Sequence, residues 1–211
     1  MGMPARTERR WTTADVRDLM DESRAWPRYE LLNGELLVTP APGWPHQMAI
    51  QELTAILRPY CDREPIGIVV NSPSDLELRP GTITQPDVFV VPNSLLPETD
   101  EHVGWDLVKA LVLAVEVISP SSVHTDRVEK REFYLGAGVS EYWVMDLEAR
   151  MVELWTPERD TPLVTRGILR WTPLGARSEL LIDLPTFFED VSARLRRASA
   201  QPLGGSGDAN A

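Results

Sequence analysis

Cysteine is almost absent from this chain: Cys61 stands alone among 211 residues. A lone cysteine excludes an internal disulfide, and with three histidines there is no Cys/His cluster for structural zinc. The expected compartment is a reducing cytoplasm. Long apolar runs are missing too. None is long enough to span a bilayer, and the first residues, MGMPARTERRW, lack a signal-peptide apolar region, so no membrane partner is expected. Lysine is scarce as well: Lys109 and Lys130 are the only two among 21 basic residues. Codon usage accounts for such a bias more readily than chemistry, but a lysine in an arginine-dominated chain is worth noting, since arginine cannot replace a compact ammonium at a tight site. Positive charge is outweighed, 21 basic residues against 32 acidic, for a net charge of −11. Such a chain repels phosphate at long range, so strong non-specific DNA binding is not expected, although a local basic groove can sit on an acidic protein.

What is present is ordinary for a globular protein: 43% hydrophobic and 25% charged residues, enough for one domain with a good core. The expected organisation is a flexible N-terminus over 1–10, one domain over 11–197 and a disordered tail over 198–211. Thr12, Thr13 and Asp15 read as a helix start, and Tyr29 to Val38 as a hairpin turned by Asn33-Gly34. A stiff proline loop precedes a helix over His46 to Leu57. Ile66 to Val70 reads as a strand, Leu76 and Leu78 as the inward positions of a half-exposed strand, and Pro86 to Val91 as a buried strand headed by Asp87. Asn93 to Glu101 is an acidic loop, and Trp105 to Ala110 a helical turn. Short strands are expected at Met151 to Trp155, Leu163 to Thr165, Ile168 to Trp171 and Leu180 to Ile182, then a last helix started by Leu184-Pro185-Thr186 and running from Phe187 to about Arg197.

Leu111 to Asp146 organises the rest. Leu111 to Ile118 is an apolar run that reads as a strand buried on both faces, yet it contains Glu116. A carboxylate there is costly to desolvate unless it is paired or holds a metal. After the Ser119-Pro120-Ser121-Ser122 turn comes a helix stopped by Gly136 and Gly138, then a strand over Tyr142 to Val144. Strand, crossover helix and strand form a βαβ unit, which brings Lys130 within reach of Glu116. A bland alternative is a surface pair between Asp126 and Lys130, worth about 0.3–0.5 kcal/mol. Ser119 to Ser122 serve a helix cap, since no His and Asp spacing supports a serine nucleophile. His46 reads as a capping or stacking residue, and His102 and His124 as loop residues.

The blocks Tyr29-Glu30-Leu31-x-x-Gly34-Glu35, His46, Pro86-Asp87-Val88, Glu116-Val117-x-Ser119-Pro120-Ser121, Asp126 with Lys130 and Tyr134, and Gly138 to Asp146 resemble the PD-(D/E)xK nuclease superfamily. They resemble more closely the bacterial Uma family of restriction-endonuclease-like proteins, over roughly Trp11 to Leu184. The resemblance implies an α+β fold with an α/β core, a mixed β-sheet flanked by helices. It implies catalysis by Asp87, Glu116 and Lys130, with Mg²⁺ (or Mn²⁺) held by Asp87, Glu116 and Glu30. Ile118 stands where the superfamily motif has its lysine, and the resemblance moves that role to Lys130. The implied activity is metal-dependent hydrolysis of DNA phosphodiesters. The alternative is a nuclease-fold binding module, catalytically silent or dependent on a partner. A homodimer is also considered, on the expectation that Trp155 and Trp171 are exposed.

Overall fold

Alternation of apolar residues along short strands decides the architecture. In the computed structural model, which describes residues 10–22, 27–96, 104–119 and 122–200, a central sheet has six strands. In chain order the elements are α1 (Thr13–Glu22), β1 (Arg28–Leu32), β2 (Glu35–Thr39), α2 (Trp44–Arg63), β3 (Gly67–Asn71), β4 (Val88–Pro92) and β5 (Leu113–Ile118). A π-helical stretch, Thr125–Lys130, runs into α3 (Arg131–Gly136). Then come β6 (Glu141–Asp146), β7 (Met151–Trp155), β8 (Leu163–Thr165), β9 (Ile168–Trp171), β10 (Leu180–Asp183) and α4 (Leu184–Ala200). Strands β3 to β8 lie side by side in chain order, all antiparallel except β5 and β6, which are parallel. The mixed sheet flanked by helices is the expected fold class.

The pleat sorts side chains to two cores. Val88, Val90, Val115, Val117 and Trp143 pack against Leu53 and Leu57 of α2 and Phe187 and Phe188 of α4. Phe89, Val91, Ala114, Ile118, Tyr142 and Val144 pack on the other face, against Phe133 and Tyr134 of α3. Trp155 and Trp171 are both buried, 7% and 1% exposed, so neither supports the homodimer for which exposure was expected. Trp171 instead packs on Tyr60 and Trp143, and Trp155 lies under Arg131.

Local chemistry fixes the connections. Asn33 and Gly34 both have positive φ, 52° and 84°, the backbone that a two-residue hairpin turn requires. The β1–β2 hairpin is joined to the loop before β4 by reciprocal hydrogen bonds between Leu31 and Ile83, 2.8 and 2.9 Å. Helix α3 ends where Gly138 takes φ 83° and the Val139 N–H donates back to the Tyr134 carbonyl, 3.0 Å. The half-exposed strand expected at Leu76 and Leu78 reduces to a single bridge, Leu76 to Thr84. Both leucines are buried, but the chain reverses at Gly81 before a ladder can extend. Helix α2 starts at Trp44 and runs to Arg63, longer than His46 to Leu57, and α4 begins at Leu184, where the Leu184-Pro185-Thr186 start was expected. His102, Pro120, Ser121, the end of the acidic loop and the tail over 201–211 lie outside the described residues.

Candidate active site

Register brings the two carboxylates together. Val88 pairs with Val115 across antiparallel β4 and β5, so one step further Asp87 stands opposite Glu116. Directly opposed residues hold their Cβ atoms about 4.5–5.5 Å apart. Both carboxylates share the pleat face of Phe89 and Ala114, the face covered by α3. Asp87 and Glu116 are 4% and 3% exposed, so each must find partners inside the protein.

Asp87 finds three. Its Oδ1 accepts from Arg28 at 3.1 Å, and its Oδ2 lies 3.0 Å from His46 Nε2 and accepts the Val117 N–H at 3.0 Å. Burial alone would push the Asp87 carboxyl up. The hydrogen bond and charge of His46, the Val117 N–H and Lys130 together reverse this and hold it below the usual carboxylate value. Glu116 differs. Its Oε1 accepts from Lys130 Nζ and from the Tyr134 hydroxyl, both at 3.0 Å, and the residue lines a cavity. Burial, opposed by Lys130 but reinforced by Asp87, Asp126 and Glu30, pushes the Glu116 carboxyl well above its ordinary range.

Lys130 sits at the centre. Its Nζ lies 2.8 Å from Glu30 Oε2, 3.0 Å from Glu116 Oε1 and 3.7 Å from Asp126 Oδ1. Burial opposes the charge, but these carboxylates outweigh it and drive the ammonium's pKa well above the ordinary lysine value. The surface pair between Asp126 and Lys130 is thereby overturned: both residues are buried, 3% and 5% exposed. Glu30 spans the gap between elements, its Oε1 accepting the Gln85 N–H at 2.8 Å. Lys109, by contrast, is exposed and donates to the Glu77 carbonyl at 2.9 Å.

The π-helical stretch aims Asp126 and Lys130 at the sheet, in the wider i→i+5 winding that recurs at functional sites. It is pinned from three sides. The Tyr142 hydroxyl donates to the Asp126 carbonyl at 2.9 Å, and Arg127 bonds Asp146 at 2.9 Å and Glu153 at 2.7 Å. The resulting cavity is about 320 Å³. Glu30, Asp87, Glu116 and Lys130, the four residues expected from sequence, all line it, as does His46. Sequence reasoning missed Arg28 as a partner of Asp87. The signal was its position two residues before Glu30 on a strand, which places both on one face.

The donor set suits a hard divalent cation. Four buried carboxyl groups, Glu30, Asp87, Glu116 and Asp126, line the cavity beside Arg28 and Lys130. Among the described residues no three His, Cys, Asp or Glu side chains close on one ligand position. Asp87 and Glu116 are the residues that could offer oxygen ligands to such a cation.

A mixed sheet with helices on both faces and two carboxylates opposed on neighbouring strands defines a nuclease fold of the restriction-endonuclease-like kind. The chain belongs to the Uma2 family, described as "Putative restriction endonuclease", whose family model matches residues 15–189. A crystal structure of "a putative nuclease belonging to DUF820" from Anabaena variabilis has the same fold, with a TM-score of 0.67 at 18% identity. The alignment covers 83% of this chain and 98% of that one. No curated protein matches. Among the described residues no helix is long and apolar enough to cross a membrane.

Proposed function

We propose that this chain is a divalent-metal-dependent endonuclease that hydrolyses DNA phosphodiesters in the cavity between the β1–β2 hairpin and the π-helical stretch. The observation that carries the reading is the opposition of Asp87 and Glu116 across β4 and β5, with the buried Lys130 ammonium 3.0 Å from Glu116. Asp87 and Glu116 are the proposed ligands for Mg²⁺ or Mn²⁺, which when bound would lower the pKa of water and offset charge developing on phosphorus. Glu30 holds Lys130 at 2.8 Å and accepts the Gln85 N–H at 2.8 Å, and it stands beside Asp87 and Glu116 as a third candidate ligand. Lys130 stays protonated between its carboxylates, so its role is to hold Glu116 and present positive charge to the phosphoryl oxygens, not to accept a proton. Arg28 and His46 fix the orientation of Asp87 from the other side.

The test is nicking of plasmid DNA by purified protein with Mg²⁺ or Mn²⁺, beside Asp87→Ala and Glu116→Ala. Cleavage present in the wild type and lowered at least about 100-fold in each variant is the expected result. Wild-type cleavage no greater than that of both variants ends the activity claim. Mn²⁺ that raises the Tm of the wild type but not of Asp87→Ala would still place a metal on Asp87, which fits a catalytically silent nuclease-fold module.

A further inference from the structure

Arg28 is a cation set against a candidate metal ligand. It stands on β1 with Glu30, and the β1–β2 hairpin that carries both forms its own two-stranded sheet, bridged to the loop before β4 at Leu31 and Ile83. The guanidinium reaches Asp87 Oδ1 at 3.1 Å, and the two side chains are 10% and 5% exposed. Burial leaves little solvent to screen the pair, and a guanidinium does not shed its charge in a protein.

The other oxygen of Asp87 is filled. Oδ2 meets His46 Nε2 at 3.0 Å and the Val117 N–H at 3.0 Å, one for each of its lone pairs. Oδ1 is therefore the oxygen with room for a cation, and it is the one that Arg28 holds. Glu116 presents a different case. The Lys130 ammonium on its Oε1 also meets Glu30 at 2.8 Å and Asp126 at 3.7 Å, so it keeps two carboxyl partners when Glu116 turns to a metal. At Asp87 the guanidinium and a divalent cation are rivals for one oxygen. Like charges at that separation repel strongly where side chains are buried.

We infer that Arg28 is a built-in competitor of the metal: it is the counter-cation of Asp87 in the metal-free protein and sets a weak affinity for divalent cations at the Asp87–Glu116 cavity. This rests on the metal-dependent reading of that cavity and goes beyond it, since a residue that only orients Asp87 would weaken metal binding when lost. The test is a Mn²⁺ titration of the full chain near neutral pH, with free Mn²⁺ followed by electron paramagnetic resonance. Arg28→Gln keeps an N–H donor for Oδ1 and removes the charge, and it should bind Mn²⁺ at least about tenfold more tightly than wild type. Arg28→Lys keeps the charge and should stay close to wild type. Lys109→Met removes a charge at an exposed site and should bind as wild type. Melting gives a second readout. Without metal Arg28→Gln should melt below wild type, and one Mn²⁺ concentration should raise its Tm by more than it raises that of the wild type. Arg28→Met, with no donor at all, repeats the test on a second neutral side chain. Equal or weaker Mn²⁺ binding in Arg28→Gln overturns the inference, as does equal tightening in Arg28→Lys. So does tightening that survives in the double variant Arg28→Gln with Asp87→Asn, because the ion is then held elsewhere. Wild-type binding that needs Asp87 and ignores Arg28 would keep the metal site and remove this inference. Tighter, Asp87-dependent binding in Arg28→Gln with no DNA cleavage by any form would keep the inference and remove the nuclease reading.

Discussion

Removing the Lys130 ammonium would leave Glu30, Glu116 and Asp126 buried around a vacated centre of charge. Breaking a buried ion pair by deleting one partner costs about 3–5 kcal/mol, because the remaining charge is neither solvated nor paired. Lys130→Met is therefore expected to lose about that much stability in urea titration, and Glu116→Gln added to it should recover part of the loss. Lys109→Met, at an exposed lysine, should stay within about 0.5 kcal/mol of wild type. The contrast separates the two lysines by burial rather than by sequence context. It also means that loss of cleavage in Lys130→Met must be read beside its folding, and so must that of Asp87→Ala, which leaves Arg28 and His46 without their shared carboxylate. At this scale His46 is a positioning residue, since its ring nitrogen meets Asp87 and no other carboxylate of the site.

Single elements depend on equally local features. Strand β3 opens at Gly67, where a Cβ would run into the Val91 carbonyl of β4 and the Val90 side chain. Gly67→Ala is expected to cost about 1–3 kcal/mol by overpacking, seen as a lower urea midpoint. Helix α4 begins after Asp183, whose Oδ1 accepts the Thr186 N–H at 2.9 Å in the manner of a helix N-cap. That backbone bond, with the Thr186 hydroxyl, holds the Asp183 carboxyl below its usual range. A carboxyl with a lowered folded pKa stabilises at pH values above its unfolded pKa, and the contribution fades as pH falls through the folded value. Asp183→Ala should therefore melt below wild type at neutral pH, with the gap closing on acidification below the ordinary aspartate pKa. A gap that stays constant down to strong acid would show that the cap contributes nothing through its charge.

Across the whole molecule, the β9–β10 hairpin is hydrogen-bonded to no strand of the main sheet, and its attachment is side-chain packing and caps. Trp171 joins it to both neighbours, its ring 5.5 Å from Tyr60 of α2 and 5.6 Å from Trp143 of β6. Glu64, at the end of α2, reinforces the joint through the Ser178 hydroxyl at 2.6 Å and the Arg177 N–H at 2.7 Å. Trp171→Ala is expected to cost about 3–5 kcal/mol and to loosen hairpin and sheet together. One cooperative urea transition followed by fluorescence and by circular dichroism would bear this out. Separate transitions would show that the hairpin is an independent appendage.

The sequence by itself determined the parts that rest on local chemistry or on the two-residue period of strands. Asn33-Gly34 had to turn, Gly138 had to end a helix, and a carboxylate within Leu111 to Ile118 had to be paired or bound to something. Period also placed Asp87 and Glu116 each on a defined face of its own strand. What it left open was everything that depends on which strand lies beside which and in what register. The alternation at Leu76 and Leu78 suited a strand and became a bridge, because a ladder needs a neighbour of sufficient length. Trp155 and Trp171 looked available for a partner until the β9–β10 hairpin and the α3 side of the sheet covered them. Asp126 and Lys130 fitted a surface pair equally well, since an i, i+4 spacing says nothing about what lies opposite. Only the tertiary structure decided that this face of the helix meets Glu116 and Glu30, because burial and register are properties of packed elements and not of any one segment.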